Sequence, residues 1–211
     1  MTPVGAHVGA SSDTVPTGNV YDKYGSTNPV VRRLMGRFHE AVDELWERAS
    51  PRSVLDVGCG EGVLTSAWAE RLGDGRIVGI DLDDPKLAAE WATRKRDNLE
   101  FRVEEATSLS FADGEFDLAV AIEVLEHVPR PESTLSEMAR VARRHLLVSV
   151  PREPVWRALN VARGAYLRSL GDTPGHVNHW SRRAFVQLLE RYGTVEEARS
   201  PLPWTVLLVR L

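Results

Sequence analysis

Three clusters of acidic, glycine and histidine residues stand out for their type and spacing. The first is Asp56-Val57-Gly58-Cys59-Gly60-Glu61-Gly62, an Asp-x-Gly-x-Gly-x-Gly run that ends an apolar stretch beginning at Val54. Glycines at alternate positions let backbone approach a ligand where a Cβ would collide, and they tolerate unusual φ/ψ angles. A dinucleotide loop would read Gly-x-Gly-x-x-Gly. Here the third glycine comes one residue early and an acid precedes the first. That acid suits a ligand bearing an ammonium and hydroxyls better than one bearing phosphates. The second cluster is Arg76-Ile77-Val78-Gly79-Ile80-Asp81, a second apolar run ending in an acid placed to bind paired hydroxyls. The third is a set of histidines, residues that move protons near neutral pH. His127 closes a Glu-x-x-Glu-His run with Glu123 and Glu126, while His176 and His179 lie in Gly175-His176-Val177-Asn178-His179-Trp180. Cys59, the only cysteine, reads either as a nucleophile or as a small side chain in a tight turn.

The elements that must position these residues alternate in kind. Asn28-Pro29 supplies an N-cap and a first-turn proline, and Val31, Leu34, Phe38, Val42, Leu45 and Trp46 follow at helical spacing, giving a helix over 28–49 closed by Pro51. Strands are expected near 52–57, 76–80, 99–103, 116–121 and 145–150. Between them lie helices over Val63–Leu72, from Asp84-Pro85 onward, and over Leu135, Met138 and Val141. Ser181 caps a last helix, and 194–199 with 204–211 form a terminal antiparallel pair. Such alternation implies an α/β protein with a mostly parallel sheet covered by helices on both faces. Ligands in such sheets lie at the C-terminal strand ends, where the glycine loop, Asp81 and the Glu123–His127 run fall. His176 and His179 lie between the arginine-rich stretch and the last helix.

Taken in order, these blocks resemble the class I S-adenosylmethionine (SAM)-dependent methyltransferases, in particular the type 11 small-molecule group. The likeness continues through Val103-Glu104-Glu105-Ala106, through 111–117, and into Ala121-Ile122-Glu123-Val124-Leu125-Glu126-His127-Val128. It implies a seven-stranded, mostly parallel Rossmann-like sheet with an antiparallel C-terminal strand, and SAM as cofactor. It assigns Gly58, Cys59 and Gly60 to the methionine part of SAM, and Asp56 to orienting the loop or reaching the ammonium through water. Asp81 would hold the ribose hydroxyls, Leu82 the adenine face, and Glu105 with Ala106 the adenine edge. Glu105 replaces the family's usual aspartate. Ala121 and Ile122 complete the cofactor-binding set. Tyr24, in Tyr21-Asp22-Lys23-Tyr24, is either a residue near the SAM carboxylate or a packing tyrosine at a helix entry.

Methyl transfer to a hydroxyl needs an aligned nucleophile, exclusion of water and a base. The candidate bases are His127, His176 and His179. The Glu-x-x-Glu-His spelling with a downstream histidine pair also resembles O-methyltransferases that use a divalent metal on RNA ribose or a catechol. It equally resembles type 11 enzymes in which the glutamates are structural. The arginine-rich stretch 151–180, with Trp156 and Tyr166 interleaved, is expected to be a substrate lid; the alternatives are a helix with snorkelling arginines or a lipid-facing surface.

Composition bounds the rest. A chain of 211 residues with 43% hydrophobic and 27% charged residues suits one domain over 21–211 behind a mobile tail over 1–20. A net charge of −4 gives no general attraction to nucleic acid, and the Asn/Asp-Pro-Pro-aromatic motif of base methyltransferases is absent after the fourth strand. One cysteine, no signal-like start and no long apolar run point to the cytoplasm. The expected function is therefore SAM-dependent methylation of a small-molecule acceptor, most readily at a hydroxyl. The competing class is a SAM-binding protein without catalysis. The glycine spacing speaks against a nicotinamide-dependent oxidoreductase.

Overall fold

The computed structural model describes residues 28–211; the tail over 1–20 and Tyr24 lie outside the described residues. Helix α1 (Pro29–Ala49) starts as its sequence dictates. Asn28 accepts a hydrogen bond from the Val30 N–H, 2.9 Å, and Pro29 needs no partner. It ends at Ser50, whose left-handed backbone (φ 43°) turns the chain before Pro51.

From there β1 (Ser53–Val57), α2 (Val63–Leu72), β2 (Arg76–Asp81), α3 (Pro85–Ala92), β3 (Leu99–Val103), β4 (Phe116–Ile122), α4 (Pro131–Val141) and β5 (Ala142–Pro151) follow in turn. After them come α5 (Val155–Ala162), α6 (Arg182–Leu189), β6 (Thr194–Arg199) and β7 (Trp204–Arg210). The seven strands form one sheet in the order β3-β2-β1-β4-β5-β7-β6. Strands β1 to β5 pair in parallel, and β7 runs antiparallel to both β5 and β6. The chain order reverses between β1 and β4, the switch point at which open α/β sheets bind ligands.

Two cores sandwich the sheet. On one face α1 buries Phe38, Val42, Leu45 and Trp46 against Val54, Leu118, Leu147 and Trp204, and Trp46 stacks on Trp68 of α2 at 4.6 Å. On the other, α4 and α6 bury Leu135, Met138, Phe185 and Leu189 against Leu55, Ala119, Leu146 and Leu207. Central strands β1, β4 and β5 are buried on both faces, as unbroken apolar runs require.

Two expectations needed correction. The fifth strand begins at Ala142 rather than His145, because α4 runs into it at Val141 with no breaking residue between. The stretch read as irregular after Pro151 contains α5, an eight-residue amphipathic helix followed by a short 3-10 turn over Leu167–Ser169.

Candidate functional site

A cavity of about 380 Å³ opens at the C-terminal ends of β1, β2 and β4, within the size range of small-molecule sites. One half is polar and one half apolar. In the polar half the glycine loop does more internal work than its spelling suggests. Gly58, Gly60 and Gly62 all have positive φ, 72°, 54° and 73°, which only glycine adopts readily. A Cβ on Gly58 would lie 2.5 Å from Val124 Cγ2, and one on Gly62 2.5 Å from Phe101 Cζ. At these two positions it is the protein's own side chains, rather than a ligand, that exclude a Cβ.

The loop amides are also committed. Gly58 and Cys59 N–H groups donate to the Ile80 carbonyl, at 2.8 and 3.0 Å. Gly60 N–H donates to Asp81 Oδ2 at 2.8 Å, and Leu82 N–H donates to Asp81 Oδ1 at 2.8 Å. A loop whose amides are spent is no phosphate cradle. Trp91, which the sequence did not single out, donates from Nε1 to the Gly60 carbonyl at 2.8 Å and stacks on Phe101 at 5.2 Å.

The polar wall is acidic. Asp56, Glu61, Asp81, Glu104, Glu105 and Glu123 all line the cavity, and Arg163 is the one cation among the described lining residues. Asp56 is buried and accepts a 2.7 Å hydrogen bond from Thr65 Oγ1. Burial pushes its carboxyl up to about 7; the Thr65 bond opposes the rise, and the charge of Asp81 adds to it. Burial also raises Asp81, against the two amide bonds it accepts. Each Asp81 oxygen retains acceptor capacity beyond one N–H, so hydroxyls can still be bound there. Burial and the neighbouring acids push the Cys59 thiol far above its ordinary range, so Cys59 is a turn residue rather than a nucleophile.

His127 and His176 both line the cavity, with ring centroids 4.8 Å apart and nearly perpendicular. His127 Nδ1 lies 2.9 Å from the Gly175 carbonyl oxygen. A carbonyl can only accept, so Nδ1 carries the proton and Nε2 of the neutral ring is the basic nitrogen. Gly175 belongs to the turn Thr173-Pro174-Gly175-His176, closed by a 3.1 Å bond from His176 N–H to Thr173 O, with Gly175 at φ 89°. That turn sets the His127 tautomer and carries His176.

His179 is elsewhere. Its Nε2 sits 2.7 Å from Asp172 Oδ1, Arg157 pairs with Asp172 Oδ2 at 3.1 Å, and His179 does not line the cavity. The Arg157 guanidinium also lies 3.1 Å from Nε2, so His179 is tied into an ion-paired cluster outside the cavity. Ala121 is fully buried in the core, and of the pair only Ile122 lines the cavity. Asp56, Gly58, Cys59, Gly60, Asp81, Leu82, Glu105 and Ala106 all reach it.

Glu126, His127 and His176 place one ligand atom each within 4.8 Å of one another, a grouping of donors able to hold a metal ion. Glu123 and His179, the other members of the expected metal set, fall outside it. The apolar half of the cavity comes from Leu34, Met35 and Phe38 of α1, Trp156 and Leu159 of α5, and Trp204 of β7.

A Rossmann-like sheet with an acidic cavity at its switch point is the architecture of the class I SAM-dependent methyltransferases. Residues 55–147, under half of the chain, match the family described as "Methyltransferase domain", and together with the methyltransferase relatives this supports a SAM-dependent methyltransferase. The ubiquinone biosynthesis O-methyltransferase of Pseudomonas putida (strain GB-1) is 29% identical over 172 residues, 72% of each chain. Among solved structures, magnesium protoporphyrin IX methyltransferase from Synechocystis PCC 6803, with bound S-adenosylhomocysteine, superposes with a TM-score of 0.63 at 18% identity, covering 88% of this chain and 89% of its own. The [4+2]-cyclase SpnF superposes equally well, 0.63 at 19% identity over 90% and 85% of the chains, so likeness of fold alone does not fix the reaction. No helix among the described residues is long and apolar enough to cross a membrane.

Proposed function

We propose that the enzyme methylates a hydroxyl oxygen of a small-molecule acceptor, with His127 as the general base. The observation that carries this reading is the Nδ1–H to Gly175 carbonyl bond, which leaves His127 Nε2 as the proton-accepting atom of a cavity-lining ring. SAM supplies an electrophilic methyl group on a sulfonium. The acidic wall favours its positive charge over a phosphate-bearing ligand. Within that wall Asp81 holds the ribose hydroxyls, Leu82 packs on the adenine face, and Glu105 with Ala106 borders its edge. Gly58, Cys59, Gly60 and Ile122 contact the remainder, and Asp56 meets the ammonium through water.

His127 Nε2 takes the acceptor proton as oxygen attacks. Segment 151–180 acts as a lid, bringing Trp156, Thr173 and His176 over the acceptor and excluding water. The single cysteine is consistent with action in the cytoplasm. The relatedness to an O-methyltransferase supports oxygen as the acceptor atom. Replacing His127 by Ala is expected to lower kcat by roughly 10²- to 10⁴-fold while S-adenosylhomocysteine still binds. Undiminished turnover would assign the base elsewhere.

The grouping of Glu126, His127 and His176 supports a second reading, in which a divalent ion helps ionise the acceptor. His127 Nε2 would be its ligand, with Nδ1 held by Gly175 as metal-bound imidazoles usually are. Calorimetric titration with Zn²⁺ tests this without turnover. Under the metal reading binding is lost in Glu126→Gln and His176→Ala, whereas no binding by the unaltered enzyme removes it.

A further inference from the structure

Thr173 has a hydrogen-bonding constraint that bears on which acceptors the cavity takes. Its Oγ1 lies 2.9 Å from Trp156 Nε1 and 3.2 Å from Asn160 Nδ2. The indole N–H can only donate. The orientation of the buried Asn160 amide is fixed because Nδ2 also donates to the Gly171 carbonyl at 2.8 Å. Both donors therefore spend the two acceptor lone pairs of the Thr173 hydroxyl, and both come from α5. What remains is its proton, aimed away from α5 on a residue that lines the cavity and shares one closed turn with His176 and the Gly175 carbonyl.

We infer that Thr173 is a specificity-determining donor, selecting acceptors that present a carbonyl or carboxylate oxygen near the hydroxyl to be methylated. An ammonium or a bare alkyl group at that place leaves the Thr173 proton unmatched. The surrounding Trp156, His176 and Trp204 rings suit a planar acceptor that carries this oxygen. The inference rests on the proposed hydroxyl methylation, since it presumes that the cavity's apolar half is the acceptor site.

The test compares 3-hydroxyacetophenone with 3-ethylphenol, two phenols that differ chiefly by one carbonyl oxygen, binding to the full-length enzyme saturated with S-adenosylhomocysteine and followed by NMR titration. The unaltered enzyme is expected to bind the ketone roughly three- to tenfold more tightly, the ratio of one net hydrogen bond. Thr173→Val should abolish that ratio and Thr173→Ser should restore it. Trp156→Phe frees one lone pair, lets the hydroxyl turn, and should reduce the ratio in a variant that keeps Thr173. A ratio of one in the unaltered enzyme, or one that survives in either Thr173→Val or Trp156→Phe, overturns the inference. S-adenosylhomocysteine binding in the same samples separates the outcomes: its loss in the unaltered enzyme defeats the functional reading, while intact binding without ketone preference defeats only the role of Thr173.

Discussion

Single residues at this site are set by burial and by what their atoms can donate. Asp56 is the clearest case. Its carboxyl titrates near 7 in the folded chain against 3.8 in the ordinary range, because burial disfavours the charge. A folded-state value above the unfolded one means the folded protein holds the proton longer. The Asp56 contribution to stability is then greatest below about pH 4, falls as pH rises toward 7, and levels off above it, at a total cost on the order of 4 kcal/mol. Asp56→Asn keeps an oxygen for the Thr65 hydroxyl and removes the titration. The variant should have a flatter profile of melting temperature between pH 5 and 7 and greater stability than the unaltered enzyme at pH 8. An unchanged slope would show that Asp56 does not carry this proton. The acid was legible in the sequence as part of the glycine motif, but its protonation was not, because that depends first on burial in the folded sheet and then on Thr65 and Asp81, nine and twenty-five positions away. The roles of His127 and His179 were likewise undecidable from spelling. One ring lines the cavity and donates to the Gly175 carbonyl, while the other lies outside it against Asp172 and Arg157.

Elements are held in register by long-range polar locks, of which Asp117 is one. Its Oδ2 accepts the Arg52 and Ser53 N–H groups at 2.8 and 3.2 Å, and Oδ1 accepts Arg143 Nε at 2.8 Å, so one carboxylate ties together the starts of β1, β4 and β5. Burial alone would raise its pKa, but those bonds and the Arg143 charge hold it below the ordinary value. Its contribution is present above the unfolded pKa and is lost as pH falls through the folded one, the opposite sense to Asp56. Asp117→Ala is expected to cost about 2–4 kcal/mol by urea denaturation at pH 7, leaving two strand amides and a guanidinium without their partner. A loss under about 0.5 kcal/mol, the scale of a neutral surface change, would contradict that account.

The strand and helix order could be read because turn residues and apolar runs alternate cleanly from Pro51 to Val150. Two boundaries could not. Helix α4 meets β5 without a glycine or proline between Val141 and Ala142. Helix α5 has only eight residues, too short for periodicity to separate it from loop.

At the scale of the whole molecule, the sheet and the cofactor half of the cavity were visible in four short motifs because local backbone geometry builds them. The apolar half was not, since Phe38, Trp156 and Trp204 come from three distant parts of the chain and meet only after folding. Phe38 and Trp204 lie 4.7 Å apart, and Trp156 and Trp204 5.8 Å. The Pro174-Gly175 dipeptide was the one local signal for the turn that fixes His127. The same topology gathers the acids at the ends of β1 to β4 and the rings of Phe38, Trp156 and Trp204 on the α1, α5 and β7 side, so a cationic cofactor and a planar acceptor would meet at His127. The central claim is that this acidic half binds the adenosyl cofactor through Asp81. Calorimetric titration with S-adenosylhomocysteine, on the unaltered enzyme and on Asp81→Ala, tests it most directly. The account predicts a dissociation constant on the order of 1 µM, about −8 kcal/mol, for the first. It predicts at least a tenfold weakening in the variant, with its circular dichroism unchanged. Equal binding by both proteins, or none by the unaltered enzyme, would contradict it.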